Sequence, residues 1–384
     1  MASMNKKRIL IFVEWFYPGF KAGGPIVSIY NLVEELSECY DLFVFTGAYD
    51  HTETTILQGI ETDKWTRFKG DAQVYYASNV SLSIIKKAVK FATPDVIYLN
   101  SMFSPKFTVL PLIYFQYFEK TKTRRLIISP RGMLIDSNFQ IKFLKKRLFI
   151  FLFKLFGLNK NLFGHAASEV EAVSIKKIIK EEQRIFIAPN IPNTFLLNNN
   201  GEITKEANEL EIYFASRIGR EKNIHYTLEV LSSLNLPIKF FIYGSIDHGD
   251  YWEKCQSLIQ ALPASIEVIY KGHYKFSEIG QLFKNHHAFI FPSGGENFSH
   301  VIFEALALGK PVITTPEMPW TEIDEAGAGW IISLKHQEEY RRKLTELFKM
   351  NQSEYNVHHK SARQYAQQYI EKQDYISSYK SLFG

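Results

Sequence analysis

The stretch from Phe291 to Thr315, FPSGGENFSHVIFEALALGKPVITT, places a polar glycine-rich turn between two apolar runs, with a helical pattern after the turn. Pro292 to Gly295 breaks the first apolar run, which predicts the end of a buried strand. We expect Ser299 to cap the helix, Gly309 to end it and Pro311 to prevent its continuation. The stretch therefore predicts a strand, a loop, a helix and a second strand.

The start of this helix is predicted to bind a diphosphate. The first N–H groups of a helix have no intrahelical acceptor, and the helix dipole adds partial positive charge there. These groups belong to the region of Phe298, Ser299 and His300. Glu296 in the loop and Glu304 inside the helix can accept hydrogen bonds from hydroxyl groups at the two ends of a long ligand. One end would be a hexose and the other a ribose. On its own, a solvated Glu304 on a surface helix is the simpler interpretation.

The string GENFSHVIFEALALGKPVITT is similar to the Glu-x7-Glu signature of family 4 retaining glycosyltransferases. The resemblance implies that Glu296 lies at the donor sugar and Glu304 at the nucleotide ribose. It also implies the GT-B fold, an α/β architecture in which two Rossmann-like domains face each other across a cleft and a C-terminal helix crosses back to the first domain. The resemblance covers essentially the whole chain, although its sharp motifs all concern the donor.

The length of 384 residues fits two domains, and a hydrophobic content of 46% excludes disorder for the whole chain. We expect an N-terminal acceptor domain over 1–195, a donor domain over 205–364 and a terminal helix over 365–384. A polar segment rich in Asn and Gly separates the domains. Strands alternating with helices predict parallel sheets; the predicted strands are 8–13, 41–46, 73–77, 95–99, 125–129, 184–188, 211–215, 238–243, 266–270, 288–291, 312–314 and 330–332.

The loops that follow predicted strands carry the remaining candidate donor residues, because ligands of such sheets bind beyond the carboxyl ends of the strands. In SRIGREKN, Arg217 and Lys222 match the Arg and Lys with which the family neutralises the leaving diphosphate, and an ordinary solvated loop is the alternative. Gly244 favours a close backbone approach. His273 and Tyr274 fall where family members hold the nucleobase, and packing inside a loop explains them equally well.

Two loops of the first domain carry further candidates, Gly23 and Gly24 for donor binding near the phosphates, and Arg131 with Asn100 for the acceptor side. Gly23 and Gly24 resemble the family's N-terminal glycine loop, in which backbone amides approach an anion; a tight turn is the alternative, and no dinucleotide or ATP fingerprint accompanies them. Arg131 stands where many family members carry a histidine, a departure that resembles a polysaccharide-assembly branch. Asn100 is also expected to face the cleft, as is the segment HAASEVEA at 165–172.

Residues 141–158, IKFLKKRLFIFLFKLFGL, are too charged to span a membrane. They predict either an interfacial helix with an apolar face and basic edges or a core helix with a solvated basic edge. A net charge of +5 favours anionic lipid or nucleotide ligands, and no nucleic-acid module is present. With only two cysteines and no export signal, the expected location is the cytoplasm, including the inner face of the membrane.

The resemblance implies a metal-independent, front-face transfer of a hexose from a UDP- or GDP-sugar to a hydroxyl of a glycan or lipid-linked acceptor, without a cofactor. Arg217 and Lys222 would stabilise the departing diphosphate and Glu296 would orient the sugar. Two alternatives stay open at this point. One is an inactive glycosyltransferase-like protein that only binds nucleotide sugars, and the other is a nucleotide-sugar epimerase on the same fold.

Overall fold

The computed structural model describes residues 6–119, 124–135, 143–198, 201 and 203–384. By internal contacts the chain divides into two compact units. The first comprises residues up to Ile191 together with Asp374–Gly384, and the second comprises Pro192–Gln373. The two units are described separately below.

The first unit is built on an eight-stranded sheet whose order is β3-β4-β2-β1-β5-β6-β7-β8. Its neighbouring strands are parallel except for the pair β3 and β4. Central strands such as β1 and β5 are buried almost throughout, as expected for a sheet covered on both faces. The strands are β1 Arg8–Phe12, β2 Asp41–Gly47, β3 Trp65–Arg67, β4 Gln73–Ala77, β5 Val96–Asn100, β6 Arg125–Ser129, β7 Leu162–Ala166 and β8 Ile185–Ile187.

Helices connect these strands and pack on the sheet. A helical stretch with wider, π-type turns at Pro105–Val109 and Tyr114–Phe118 flanks the short helix α3. The helices of the first unit before its terminal segment are α1 Gly24–Leu36, α2 Leu82–Ala92, α3 Leu110–Ile113, α4 Phe143–Leu155 and α5 Glu169–Ile175.

The second unit contains a six-stranded, wholly parallel sheet in the order β11-β10-β9-β12-β13-β14. Its strands are β9 Leu210–Ala215, β10 Ile238–Tyr243, β11 Ile266–Gly272, β12 Ala288–Phe291, β13 Val312–Thr314 and β14 Gly329–Ile331. Its helices are α6 Ile224–Ser232, α7 Gly249–Gln260, α8 Ile279–Leu282, α9 His300–Ala307, α10 Gln337–Lys349 and α11 Gln352–Glu371. The prediction of two parallel, Rossmann-like α/β sheets is thereby confirmed.

All twelve predicted strands are present, but β3 and β7 were not predicted. β3 has only three residues at the sheet edge, which is too short for a pattern. β7 contains a glycine and an alanine, residue types that weaken a strand signal. Gly164 is required there because a Cβ at this position would lie 2.8 Å from the side chain of Ile175.

The terminal helix predicted from residue 365 is wrong in its bounds. Helix α11 begins at Gln352 and ends at Glu371, and a separate helix α12, Tyr375–Phe383, follows. Asp374 causes the new start, because its side chain accepts a hydrogen bond from the N–H of Ser377 (2.9 Å). Residues 365–373 therefore belong to the second unit and only 374–384 to the first.

Candidate functional site

Two loops at the carboxyl ends of β9 and β12 are joined by hydrogen bonds. The carbonyl of Glu221 accepts from the N–H of Gly294 (2.9 Å) and from the hydroxyl of Ser293 (3.4 Å). The side chain of Asn223 donates to the carbonyl of Pro292 (3.1 Å). These contacts place the loop that carries Arg217 and Lys222 against the loop that carries Glu296.

Lys222 and Glu296 form an ion pair within this loop cluster. Their side chains are only 10% and 21% exposed, so the pair is shielded more than a surface ion pair. The hydroxyl of Ser293 also donates to the Glu296 carboxylate (3.2 Å). The Lys222 ammonium group further lies 5.6 Å from the centre of the Phe291 ring. Sequence reasoning did not predict this pairing, since Lys222 was assigned to the diphosphate and Glu296 to the sugar of the donor.

Arg217 pairs with Asp247, an acidic residue that sequence reasoning did not single out. Asp247 lies in the loop after β10, and the N–H of Asp247 donates to the carbonyl of Ile218 (3.2 Å). The Arg217 side chain is 37% exposed, so part of the guanidinium faces solvent. Because a guanidinium has five N–H donors, one carboxylate partner leaves donors for a phosphate.

Helix α9 begins directly after this loop cluster, but the prediction that Ser299 caps it is wrong. Ser299 has φ +66° and ψ +76°, in the left-handed region, and its side chain makes no cap hydrogen bond. A capping side chain requires an extended backbone at this position. In the described part of the chain, the buried Oγ of Ser299 has no hydrogen-bond partner. The start of α9 is therefore not occupied by its own capping side chain.

The other end of α9 follows the prediction. Gly309 has φ +72°, and the N–H of Lys310 donates to the carbonyl of Ala305 (2.9 Å), the arrangement of a glycine-terminated helix. A Cβ at Gly309 would lie 2.2 Å from the ring of His359. Glycine is therefore required there both for its conformation and for the close approach of α11.

Phe298 and His300 anchor the start of α9 to the core. The carbonyl of Phe298 accepts a hydrogen bond from the indole N–H of Trp320 (2.6 Å), and the Phe298 ring lies 4.8 Å from the His300 ring between centres. Both side chains are buried. Their side chains thus hold the N-terminus of α9 in place, whereas their backbone N–H groups remain the candidates for contact with a ligand.

Glu304 lies inside α9 and is buried, with 2% of its surface exposed. Burial raises the pKa of its carboxyl from 4.5 to about 8. Burial also raises the pKa of the nearby Tyr274 hydroxyl, and the Glu304 carboxyl adds to that shift. The expectation of a solvated Glu304 on a surface helix is therefore excluded.

Gly244 allows the loops after β9 and β10 to touch. Its φ is +140°, and a Cβ there would lie 1.8 Å from the carbonyl oxygen of Ser216. Its N–H donates to the carbonyl of Gly272 (2.7 Å). The close approach that glycine permits is thus to the protein's own backbone, next to Arg217.

A cavity of about 380 Å³ lies beside the loop after β11. This volume is within the range of small-ligand pockets. His273 and Tyr274, the predicted nucleobase residues, both line it, and Tyr243 at its wall shares a hydrogen bond with His286 (2.9 Å). Burial, with like charge from Lys310 nearby, lowers the pKa of His286 to about 3, so this ring is neutral near pH 7.

In the first unit, Gly23 and Gly24 start helix α1. Gly23 has φ +66°, a conformation that favours glycine, and Pro25 follows in the first turn. A Cβ at either glycine would meet no atom within 4 Å. The turn requires Gly23 for its conformation, whereas packing within the protein does not explain Gly24.

Arg131 and Asn100, the two candidate acceptor-side residues, are in contact, and the arginine also contacts other residues. Arg131 donates to the Asn100 side-chain oxygen (2.8 and 3.0 Å), to the Asn190 side-chain oxygen (2.5 Å) and to the hydroxyl of Tyr98 (3.0 Å). Its φ of +55° is in the left-handed region. The guanidinium therefore links the ends of β5 and β6 to the segment after β8.

His165, in the segment HAASEVEA, contacts the hydroxyl of Tyr98 and so belongs to the same hydrogen-bond network. Its Nε2 lies 2.8 Å from the carbonyl of Ala188, which requires a proton on Nε2, so Nδ1 accepts from the Tyr98 hydroxyl (2.6 Å). Burial, with the Arg131 charge, lowers the pKa of His165 to about 3. His165 is thus a neutral structural residue that holds Tyr98 under Arg131.

Like Asp247, Glu171 is a residue whose role the sequence did not reveal. Its carboxylate is fully buried and accepts from the N–H groups of Gly132 and Ala167 (2.8 Å for Ala167). The N–H of Gly132 immediately follows Arg131, so Glu171 fixes the loop that presents this arginine. The only sequence signal is the Ser-x-x-Glu pattern at 168–171, since Ser168 caps α5.

Comparison with known proteins agrees with this architecture. Residues 198–369 match the family described as Glycosyl transferases group 1. An uncharacterised 41.2 kDa protein of the cps region of Klebsiella pneumoniae is 24% identical over 315 residues, 78% of this chain and 81% of that protein.

The crystal structure of HepE from Anabaena, in complex with UDP and glucose, has a TM-score of 0.69 at 19% identity and covers 98% of both chains. Sucrose-phosphate synthase from Thermosynechococcus elongatus has a TM-score of 0.71 at 14% identity and covers 94% of both chains. These likenesses establish the fold. The group 1 match and the GT-B structures together support a GT-B glycosyltransferase.

Proposed function

We propose that the protein is a retaining hexosyltransferase of family 4, which moves a hexose from a UDP- or GDP-sugar to a hydroxyl of a glycan or lipid-linked acceptor in the cytoplasm. The observation that carries the proposal is the loop cluster of the second unit. There the Lys222–Glu296 ion pair and the partly exposed Arg217 adjoin the uncapped start of α9. The match of residues 198–369 to the group 1 family and the UDP complex of the similar HepE structure support a nucleotide-sugar donor.

In this proposal the donor diphosphate binds at the start of α9. Arg217, Lys222 and the first N–H groups of the helix stabilise the charge that develops on the diphosphate as the sugar leaves, each donor contributing about 3 kcal/mol. The buried Ser299 hydroxyl adds a further donor that has no partner among the described residues. All of these groups are held before the donor binds, which avoids reorganisation during the reaction.

Glu296 orients the hexose, and Glu304 accepts hydrogen bonds from the ribose hydroxyls. The Lys222 ammonium group pairs with the Glu296 carboxylate and fixes its position. The transfer proceeds on one face of the sugar: the bond from the anomeric carbon to the phosphate oxygen breaks, the acceptor oxygen bonds to that carbon, and the acceptor proton passes to the departing phosphate. Neither glutamate acts as a nucleophile, and the step requires no metal.

On the acceptor side we propose Arg131 and Asn100, whereas the start of α1 at Gly23 and Gly24 is proposed to contact the donor. Arg131 has its position fixed by Asn100, Asn190 and Tyr98, which suits a residue that orients a substrate. The amide nitrogen of Asn100 is buried without a hydrogen-bond partner in the described residues, so both of its N–H groups are left to donate to a substrate.

The test is calorimetric titration with UDP, GDP, ADP, CMP and NAD, with and without EDTA, followed by turnover with the sugar donors of the base that binds. Binding of one nucleoside diphosphate in EDTA, followed by sugar transfer to a hydroxyl acceptor with an unchanged anomeric configuration by NMR, is the expected result. Binding without any turnover identifies an inactive nucleotide-sugar-binding protein. Release of an epimerised sugar identifies an epimerase, and loss of binding in EDTA contradicts metal independence.

A further inference from the structure

Helix α4 carries an exposed apolar ridge, defined here as Leu144, Leu148, Phe151 and Leu155. These side chains are between 58% and 79% exposed. At 3.6 residues per turn they lie within roughly 60° of the helix circumference, and Leu152 widens this to about 100°. A continuous stripe of large apolar side chains on a surface helix indicates a binding surface rather than scattered exposure.

The opposite face of α4 fixes the helix to the first unit. Phe153 is 2% exposed, and Phe143, Phe149 and Ile150 pack partly buried against the same core. The core-helix alternative thus describes this face of the helix, and the opposite face carries the exposed ridge on which the interfacial alternative depends. Residues 141 and 142 of the predicted segment lie outside the described residues.

Basic side chains border the ridge on both sides. At 3.6 residues per turn, Lys145 lies at one edge, and Arg147 and Lys154 lie at the other. All three are exposed. From Phe143 to Ser168 the sequence contains five lysines and arginines and no acidic residue. The surface therefore combines an apolar centre with a purely cationic border, which is complementary to an anionic, amphipathic partner.

Three exposed aromatic residues, Tyr117, Phe118 and Phe156, lie near the C-terminal end of α4. Phe156 follows α4 and is exposed, and its carbonyl accepts a hydrogen bond from the hydroxyl of Tyr117. Phe118 follows Tyr117 in sequence and is also exposed. The side chain of Gln116 donates to the carbonyl of Lys160 (2.7 Å). Tyrosine with a polar tip and an apolar ring is typical of a membrane–water interface.

We propose that the ridge, its basic border and the aromatic residues Tyr117, Phe118 and Phe156 form a docking surface for the headgroup region of an anionic lipid bilayer. The apolar side chains insert to the level of the acyl boundary while the cations contact lipid phosphates. A symmetric dimer through this surface would place identical basic borders against each other, which disfavours a second copy as the occupant. Within the described ranges no helix is both long and apolar enough to cross a membrane, so the contact is peripheral.

The experiment is co-sedimentation of the full chain with vesicles of phosphatidylcholine alone or with about a third phosphatidylglycerol. We expect binding to the anionic vesicles that is at least about tenfold stronger than to the neutral ones and that weakens in high salt. Leu148→Glu with Phe151→Glu should abolish it, and Lys145→Glu with Arg147→Glu and Lys154→Glu should reduce it at least about tenfold.

Val357→Glu is the matched control, because Val357 is also exposed (63%) but lies on α11 of the second unit. It should bind anionic vesicles like the wild type, and melting curves verify that every variant is folded. Equal binding to both vesicle types, no binding by the wild type, or unchanged binding by the Leu148/Phe151 variant overturns the proposal. A wild-type dimer that this variant dissociates, without vesicle binding, assigns the ridge to self-association instead. The result is independent of donor binding, so its failure is distinguishable from failure of the proposed activity.

Discussion

Lys222 and Glu296 are 74 residues apart in sequence and form an ion pair that joins the loops after β9 and β12. In the proposed reaction the Lys222 cation stabilises the diphosphate, and the Glu296 carboxylate accepts hydrogen bonds from the sugar hydroxyls. Since the pair is largely shielded from solvent, each residue also sets the position of the other. The following predictions test this site and the network around Arg131.

Replacing Glu296 by glutamine should reduce sugar transfer by at least about 100-fold while affinity for the nucleoside diphosphate alone stays within a few-fold of wild type. The carboxylate is proposed to act on the sugar, and glutamine retains its size. Initial rates and calorimetric titration measure the two effects. Glu317→Gln, an exposed glutamate beyond β13, is the control. Sugar transfer at the wild-type rate by the Glu296→Gln protein would contradict the assignment of Glu296 to the sugar.

Arg217→Ala should weaken binding of the nucleoside diphosphate about 10- to 100-fold, the range of a charge-assisted hydrogen bond. Binding of the corresponding monophosphate should change less, because the guanidinium is proposed to contact the outer phosphate. Arg220→Ala is the matched control from the same loop, since Arg220 is 60% exposed and pairs with Asp250. Equal losses for both variants would falsify the specific role of Arg217.

The raised pKa of Glu304 predicts that the free energy of unfolding falls as the pH rises. Its folded pKa of about 8 lies above the ordinary value of 4.5, so its contribution is fully present below about pH 4.5 and is lost as the pH rises toward 8. Urea unfolding between pH 5 and 8 should show a falling free energy of unfolding, by at most about 1.4 kcal/mol per pH unit from this group.

Glu304→Gln should remove this decline, because glutamine does not ionise. Glu322→Gln, an exposed glutamate, serves as the control. If the pH dependence of unfolding is the same in wild type and Glu304→Gln, the carboxyl is not protonated in the folded chain near pH 7.

Substitution of the two glycines at the start of α1 should distinguish a conformational role from a role in substrate contact. Gly23→Ala should lower the free energy of unfolding by about 1 to 2 kcal/mol, because alanine is strained at a φ of +66°. Gly24→Ala should leave stability nearly unchanged, since its Cβ meets no atom within 4 Å. We expect Gly24→Ala nevertheless to slow transfer, measured as initial rate at saturating donor. A wild-type rate would limit the role of this turn to folding.

Arg131→Ala should destabilise the first unit by about 1 to 3 kcal/mol, because Asn100, Asn190 and Tyr98 lose their shared donor in a partly buried site. Arg67→Ala on the exposed edge strand β3, where the arginine side chain is 76% exposed, is the control. Denaturant unfolding followed by tryptophan fluorescence measures both variants. Unchanged stability of Arg131→Ala would leave acceptor contact as the only function of this arginine.

The sequence alone determined the local elements and their chemistry. Alternating apolar runs and turn residues gave twelve strands, the Gly309 end of α9 and the start of α1 at Gly23 and Gly24, because these features depend on neighbours along the chain. The glutamates at 296 and 304 and the cations at 217 and 222 were likewise recognisable from their spacing. The amphipathic pattern of residues 141–158 indicated an apolar face but did not show which side chains the core would cover.

Only the tertiary structure decided the partners. The pairing of Lys222 with Glu296, of Arg217 with Asp247 and of Arg131 with Asn100 and Asn190 depends on the order in which parallel strands lie in each sheet. The same holds for the burial of Glu304 and for the left-handed backbone that turns Ser299 away from its expected cap. Local sequence fixes dihedral preferences and periodicity, whereas distant contacts arise when crossover connections bring strand ends to one edge of a sheet.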